Sequence, residues 1–494
     1  MPTLSRTIAL LLIVNVALSC THFQSESDTP AGRQFSQWLA AFNSGDLKLI
    51  TDFTATHFAQ TALTNIPVNE RAIQDSLIFK ENQGFELKRI DDSSNYRVVA
   101  IVQSKLLGLW FRVTTEVEPT APHGITDLMI RVVQTPPDTQ SRKKLSEAEI
   151  AEELRRYVEK LSQADVFSGV VLVAHNGRPL LQQAYGQADK SRNVPNRLDT
   201  KFNLASMNKM FTAVAIIQLA QQGKLKLDKT VDNYLPSYPN KQVAEKVTLH
   251  QLLTHTSGLG SYWNQKYQAG KDQLRKVSDF LPFFVDEPLS FEPGARFQYS
   301  NSGFIVLGLI IEKVSGLDYY EYVDQHICKP AGMRNTAFYE SDQKTANLAI
   351  GYTNADENGA PFLGERKPNW PMLGRRGGPA GGGYSTAEDL LKFDVALRNN
   401  KLLNPEYTKL VLGGKVQRDE STQYAYGFEE RRVRNSRIAG HGGGFPGVST
   451  QLEMYLDTGY TVVVLTNVDT LGMPAVSTKA RELLTAEKQV APRL

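Results

Sequence analysis

A continuous apolar stretch at residues 211–220 limits the fold of this 494-residue chain more than any other feature. Written as a helix, the stretch is hydrophobic on nearly every side, and such a helix is stable only when other elements surround it. We therefore predict a buried central helix that begins near residue 203 and runs to about Gln222. The protein must form a core large enough to enclose it.

Ser206 and Lys209 stand at the start of this helix. They are three positions apart, a spacing that puts both side chains on one helix face, one turn apart. A lysine at the start of a buried helix loses solvation, which lowers its pKa and suits it to take a proton from a neighbouring hydroxyl. The same pair is also compatible with a helix cap and a solvated lysine. The apolar run that follows favours the chemical interpretation, a serine nucleophile activated by an amine.

The composition excludes several classes of protein. A net charge of +3 is nearly balanced, and no block of Lys or Arg indicates nucleic-acid binding. No pattern of His and Cys has the spacing of metal ligands, so we expect no metal site. The two cysteines, Cys20 and Cys328, are too few to build a disulfide framework.

Residues 1–19 have the features of an export signal. Arg6 supplies the positive charge before a short apolar segment, and residues 17–19 form a small-x-small cleavage site. The apolar segment is too short to span a bilayer. Cys20 follows, and the residues before it resemble the lipobox of bacterial lipoproteins, with Ala17 where leucine is usual. We therefore expect an exported protein, periplasmic or at the cell surface, with a lipidated Cys20 as its route of membrane attachment.

Two domains are predicted after a tether at residues 20–32. Residues 33–135 combine helical periodicity with four strand-like runs, which indicates a small α+β domain without a constellation of catalytic groups. Its opening residues 38–46 are similar to the start of domains with the nuclear-transport-factor-2-like cone fold. A linker at residues 136–145, rich in proline and polar residues, separates it from a second domain at residues 146–486.

The second domain opens with a helix and a hairpin. Ser146 and Glu149 have the pattern of a capping box before a helix at residues 150–161. Two strands then meet at Asn176 and Gly177, a dipeptide typical of tight hairpins. The order of a helix, two antiparallel strands and the Ser206 helix predicts a second α+β arrangement, with a sheet packed against helices.

Four stretches in this order, residues 167–215, 248–259, 291–304 and 381–390, resemble the serine β-lactamase-related superfamily. That group includes class C β-lactamases, D-alanyl-D-alanine carboxypeptidases and esterases. The likeness covers roughly residues 147–485. It implies a β-lactamase/transpeptidase-like domain, an antiparallel sheet flanked by helices together with an all-helical part. The Ser-x-x-Lys pattern is itself a known signature of this fold.

The resemblance also implies roles for two further groups of residues. Tyr299 and Asn301 match the Tyr-x-Asn element, in which Lys209 would stabilise a tyrosine phenolate that moves a proton from Ser206 to the leaving group. The amide of Asn301 would contact the substrate or Lys209. The third element corresponds to a glycine-rich edge strand with His441, Gly443 and Gly444 as substrate-binding residues. The N–H groups of Gly444 and Ser206 would form the oxyanion hole.

The third element departs from the usual Lys-Thr-Gly. His441 and Gly442 replace a permanent positive charge and a hydroxyl, which help to hold the carboxylate of a penicillin or a terminal D-alanine. We therefore expect β-lactam hydrolysis to be less favoured. Arg375 and Arg376 could supply a replacement charge, or they could be ordinary surface arginines. His255 is interpreted as a hydrogen-bonded structural residue.

These observations predict a serine hydrolase that cleaves an ester or amide bond of a small molecule or peptide through an acyl-enzyme on Ser206, with Lys209 and Tyr299 as proton carriers. No cofactor is expected. Ester or peptide hydrolysis is favoured. One alternative is a β-lactamase or D,D-carboxypeptidase acting on cell-wall-type substrates. The other is a non-catalytic protein that binds peptidoglycan or a partner.

Overall fold

The structure, a computed structural model, describes residues 28–136 and 144–486. The chain divides into two compact units, one of residues 1–140 with 358–365 and the other of residues 141–357 with 366–494. The predicted export signal, Cys20 and most of the predicted linker lie outside the described residues.

The first helix begins inside the predicted tether. It starts at Pro30, because Thr29 Oγ1 accepts a hydrogen bond from the Gly32 N–H and proline is well suited to the first turn of a helix. The tether predicted at residues 20–32 was therefore too long, because residues 30–32 belong to this helix. Residues 20–27 lie outside the described residues.

The first unit has helices followed by a meander of strands, the α+β order expected from the sequence. The helices are α1 (Pro30–Ser44), α2 (Leu47–His57), α3 (Gln60–Asn65) and α4 (Val68–Asn82). The strands are β1 (Phe85–Ser93), β2 (Arg97–Ser104), β3 (Trp110–Val117) and β4 (Ile125–Val133). They form one antiparallel sheet in sequence order. Likeness to the nuclear-transport-factor-2-like fold stays a prediction.

Helix α1 holds the core of the first unit together. Phe35, Trp38 and Phe42 recur at helical spacing and are buried. Phe42 stacks on Phe85 of β1 with ring centroids 4.8 Å apart. The indole N–H of Trp38 donates to Asp75 Oδ2 at 3.1 Å, while burial raises the pKa of this carboxyl to about 6. The aromatic stripe therefore fastens α1 to both the sheet and α4.

The second unit is larger and mixes helices with short and long strands. Its N-terminal half contains α5 (Glu147–Gln163), β5 (Gly169–His175), β6 (Arg178–Tyr185), β7 (Gln187–Asp189), β8 (Val194–Pro195), β9 (Phe202–Asn203), α6 (Asn208–Gln221), α7 (Lys241–Lys246), α8 (Leu249–Leu253), α9 (Gln265–Gly270), α10 (Asn301–Ser315), α11 (Tyr319–Val323) and α12 (Lys329–Ala331). Its C-terminal half contains β10 (Tyr352–Thr353), β11 (Lys367–Pro368), β12 (Tyr384–Ser385), α13 (Ala387–Arg398), α14 (Pro405–Leu412), β13 (Val416–Gln417), β14 (Thr422–Tyr424), β15 (Glu429–Val433), β16 (Ser436–Phe445), β17 (Val448–Tyr455), β18 (Tyr460–Thr466) and α15 (Gly472–Leu484). Short 3-10 or π turns cover Ala205–Met207, Val231–Asn233, Lys271–Gln273, Val277–Phe283, Asp324–Cys328 and Trp370–Met372.

An eight-stranded antiparallel sheet organises this unit, with strand order β13-β14-β15-β16-β17-β18-β5-β6. Val170 and Leu172 of β5 join the main core, while the intervening Val171 is buried on the opposite face, because successive side chains of a strand alternate. Helices α5 and α15 pack on each other and on the sheet. The capping box of Ser146 and the predicted hairpin between β5 and β6 are both present.

Helix α6 lies in the middle of this core. Every residue from Asn208 to Ala220 is buried, as its all-round apolar pattern predicts. Lys209 at its start is fully buried among them. None of the helices in residues 28–136 and 144–486 is both long enough and apolar enough to cross a membrane.

Candidate active site

Ser206 lies on the 3-10 turn Ala205–Met207 that leads into α6. The preceding Ala205 has φ 44°, a left-handed conformation that is uncommon for alanine. Its N–H donates to Asn203 Oδ1 at 2.8 Å, and its carbonyl accepts from the Gly382 N–H at 3.2 Å. Backbone in sparsely populated regions persists where its surroundings hold it, often at functional sites. The turn thus presents a partly exposed Ser206 side chain at the edge of a rigid core.

Lys209 contacts three oxygen atoms. Its Nζ lies 3.3 Å from Ser206 Oγ, 2.8 Å from Asn301 Oδ1 and 2.6 Å from the carbonyl oxygen of Ala380. Burial lowers the pKa of this amine well below its usual value. A neutral amine has two N–H donors and one lone pair, and the two carbonyl oxygens can only accept. The lone pair therefore remains for the hydroxyl proton of Ser206.

Tyr299 reaches Ser206 from another side. Burial raises the pKa of the phenol above its usual value, and the nearby Ser206 side chain opposes this shift only in part. Lys209 Nζ lies over the Tyr299 ring, 4.7 Å from the centroid. The sequence predicted a phenolate stabilised by Lys209. The raised pKa instead favours the neutral phenol, because desolvation disfavours the charged form. Tyr299 is therefore a neutral phenol in this arrangement.

His255 supports Tyr299 from the core, consistent with the structural role inferred from the sequence. Its ring is fully buried, and Nδ1 accepts a hydrogen bond from the Ser300 N–H at 3.0 Å. The ring centroid lies 4.2 Å from that of Tyr299. Burial lowers the pKa of His255 well below its usual value. A neutral imidazole thus fixes the backbone between Tyr299 and Asn301.

His441 uses both ring nitrogens within the protein. Nδ1 lies 2.5 Å from the carbonyl oxygen of Gly442, which can only accept, so Nδ1 carries the proton. Nε2 then accepts from the Tyr424 hydroxyl at 3.0 Å. Burial is the largest effect on His441 and lowers its pKa to about 3. The imidazole is therefore uncharged at neutral pH and offers a substrate no free donor. Tyr424 was not predicted as a site residue, because no motif in the sequence marks it.

The glycines after His441 lie on an open strand edge. Strand β15 pairs with β16 only from Ser436 to Gly440, so residues 441–445 keep one edge free of β15. A Cβ on Gly443 would overlap the carbonyl oxygen of Leu204, whereas one on Gly444 would meet no atom within 4 Å. Gly443 thus allows the strand to lie against the turn that carries Ser206, and Gly444 borders open space beside it.

Replacing Gly443 by alanine should damage both stability and activity. The added methyl overlaps the Leu204 backbone, and such overpacking costs about 1–3 kcal/mol. A displaced Leu204 also shifts Ser206, and misplacement of a reacting group can lower kcat about 100-fold. Urea unfolding and ester turnover measure the two effects. In the matched control Gly444→Ala the methyl enters open space, so its unfolding free energy should equal that of the unsubstituted protein. Equal stability of both variants would contradict the close packing at Gly443.

The arginines proposed as a replacement charge are engaged elsewhere. Arg375 is paired with Asp342, and the guanidinium of Arg376 lies 3.5 Å from the centre of the Tyr320 ring. A different arginine, Arg418, contributes to lowering the pKa of His441 through its positive charge. Arg418 is also ion-paired with Glu429. It lies outside every motif, so the sequence contains no signal for it. Among the described residues, no three His, Cys, Asp or Glu side chains are close enough together to hold a metal.

Comparisons with known proteins match the second unit. The family model described as beta-lactamase matches residues 154–487. A penicillin-binding protein from Bacillus subtilis strain 168 is 31% identical over 324 residues, covering 64% of this chain and 71% of the relative. The crystal structure of a penicillin-binding protein from Bacillus halodurans is 34% identical with a TM-score of 0.58, covering 68% of this chain and 98% of that one. A D-stereospecific amidohydrolase from a Streptomyces species is 25% identical with a TM-score of 0.54, covering 66% and 95%.

Proposed function

Because the chain belongs to the beta-lactamase family of serine hydrolases, we propose that it cleaves an ester or amide bond through an acyl-enzyme on Ser206. The observation that carries this proposal is the hydrogen bonding of Lys209. Burial favours the neutral amine, and in that form Asn301 and Ala380 take its two N–H groups, which leaves the lone pair for the serine hydroxyl. A binding protein has no need of a buried neutral lysine beside a serine, because burying the amine has an energetic cost.

Acylation begins when Lys209 takes the hydroxyl proton of Ser206 and Oγ attacks the carbonyl carbon of the substrate. The N–H groups of Ser206 and Gly444 stabilise the negative charge that develops on the carbonyl oxygen. Tyr299, protonated at the start, gives its proton to the leaving group as the bond to the acyl carbon breaks. Water then attacks the acyl carbon and gives a proton to the Tyr299 phenolate. The protonated Lys209 returns its proton to Ser206 Oγ as the acyl–oxygen bond breaks, which releases the acid and restores all three side chains.

The uncharged His441 favours esters and peptides over penicillins. A penicillin carboxylate needs a cation or hydroxyl, and His441 and Gly442 supply neither. The penicillin-binding relative and the amidohydrolase favour the alternative, a β-lactamase or D,D-carboxypeptidase acting on cell-wall-type substrates. The predicted export signal supports action outside the cytoplasm. We expect a lipidated Cys20 to attach the protein to a membrane, and cell fractionation of a Cys20→Ser variant tests this attachment.

A substrate panel tests the proposed function. It contains a nitrophenyl ester, a peptide ending in D-alanine and a chromogenic cephalosporin, each incubated with the full-length protein. We expect measurable kcat/KM on the ester, lower kcat/KM on the D-alanine peptide and the cephalosporin, and an added acyl mass in intact-protein mass spectrometry. Faster turnover of the D-alanine peptide or the cephalosporin would favour the alternative. No turnover and no acyl mass with all three substrates would favour a non-catalytic binding protein.

A further inference from the structure

Three alternate positions of β16 lie along the active site. His441 has its ring centroid 6.4 Å from that of Tyr299, Gly443 lies against Leu204, and Phe445 has its ring centroid 5.2 Å from that of Trp263. Side chains two positions apart point to the same face of a strand, and the pairing of β16 with β17 is regular here. One face of β16 therefore runs from Tyr299, past the Ser206 turn, to Trp263.

Trp263 is a large aromatic residue held in place at this end. The side chain is 41% exposed, although its ring lies 5.0 Å from the buried Tyr267. We call Trp263 and Phe445 the aromatic rim. Through the exposed ring of Trp263, the rim presents apolar surface to solvent.

The aromatic rim is also connected to the catalytic hydrogen bonds. Asn301 Oδ1 accepts from Lys209, and Asn301 Nδ2 donates to Ser261 Oγ at 3.3 Å. Ser261 is two residues before Trp263. The exposed indole thus lies on the segment that borders Asn301, at the opposite end of the β16 face from Tyr299.

The direction of the reaction decides which part of a substrate meets the rim. Tyr299, the proton donor in the proposed mechanism, must lie beside the leaving group. With the carbonyl oxygen at Ser206 and Gly444, the leaving group then points to the Tyr299 end of the β16 face. The acyl group extends the other way, over Gly444 towards Phe445 and Trp263.

We propose that the aromatic rim binds the acyl group and selects substrates whose acyl part carries an aromatic ring or a long alkyl chain. This inference rests on the proposed acyl-enzyme function and adds the substrate class. Aromatic side chains bury large apolar areas and favour offset or edge contacts with a second ring. A short acyl group such as acetyl leaves that surface exposed and gains nothing from it.

Two esters with one leaving group test the rim. We expect the full-length protein to hydrolyse p-nitrophenyl phenylacetate with kcat/KM about tenfold higher than p-nitrophenyl acetate, after division by their rates with hydroxide. Trp263→Ala and Phe445→Ala should each lower the ratio of phenylacetate to acetate about tenfold, and Trp263→Phe should retain most of it. Tyr96→Ala, an exposed aromatic residue of the first unit, is the matched control and should leave the ratio unchanged.

The outcomes separate this inference from the proposed function. If both esters are hydrolysed and the ratio of phenylacetate to acetate is near one, or neither alanine variant changes that ratio, the aromatic rim does not bind the acyl group. The acyl-enzyme function would still stand. No turnover of either ester and no acyl mass on the protein would overturn both. Melting temperatures identify an alanine variant that fails to fold. In that case the deciding measurement is the kcat/KM of Trp263→Phe on an ester with a larger acyl group, such as naphthylacetate.

Discussion

Ser206→Ala is expected to lower kcat on any ester substrate by at least roughly 10⁴-fold, because the variant has no oxygen to form the acyl-enzyme. Lys209, Tyr299 and the strand edge remain, so any residual rate would come from binding and oxyanion stabilisation alone. Steady-state turnover measures the loss. The protein should fold normally, since Ser206 is partly exposed and its hydroxyl fills no cavity in the core.

A covalent probe distinguishes this loss from a general defect. A fluorophosphonate should add its mass to the unsubstituted protein and not to Ser206→Ala. Ser302→Ala is the matched control, because Ser302 is a buried serine beside Asn301 whose hydroxyl has no hydrogen-bond partner in the described residues. It should keep both label and turnover. Label retained on Ser206→Ala would mean that another residue is the nucleophile.

Lys209→Met should lower kcat/KM about 10²- to 10⁴-fold, the usual contribution of a general base. Methionine fills a similar volume in the core but cannot accept the proton of Ser206. Stability should not decrease in step with activity, because a buried amine is costly to desolvate and its removal offsets the lost hydrogen bonds. Kinetics and urea unfolding of the same preparation measure both quantities. Lys224 is an exposed lysine just after the end of α6. Lys224→Met is therefore the control and should change neither kcat/KM nor stability.

The lowered pKa of Lys209 determines the sign of two pH effects. Acylation requires the neutral amine, so activity should fall as pH decreases through the pKa of Lys209 in the folded protein. Unfolded lysine titrates near its usual value of about 10.4, so between the two pKa values the unfolded chain binds more protons. The free energy of unfolding should therefore rise with pH across that window. Lys209→Met should remove this contribution to the slope, and an unchanged slope would contradict a neutral Lys209.

Local patterns predicted much of the fold. The all-round apolar stretch predicted α6, the Ser146 pattern predicted the cap of α5, and Asn176 with Gly177 predicted the β5–β6 hairpin. The four strands of the first unit were predicted from short strand-like runs in the sequence. These features depend on neighbours in sequence, so periodicity and turn chemistry are sufficient to find them. The boundary at Pro30 was missed because the proline was interpreted as part of a flexible tether.

Side-chain chemistry was predicted less well. The structure brings Ser206, Lys209, Tyr299 and Asn301 together, as the resemblance implied. It does not bring Arg375 to them, because Asp342 holds that arginine in an ion pair. Tyr424 and the Ala380 carbonyl had no sequence signal, since a lone tyrosine and a backbone oxygen look the same wherever they occur.

The sequence by itself predicted the buried helix α6, the β5–β6 hairpin and the strands of the first unit, and it placed a serine and a lysine one turn apart at the start of α6. Only the tertiary structure decided that two carbonyl oxygens from distant segments contact the amine of this lysine, the arrangement from which we propose that it acts as a base. It also decided that His441 is neutral and that Trp263 meets Phe445. Protonation and specificity depend on contacts of a few ångströms between residues far apart in the chain, and local sequence does not encode those distances.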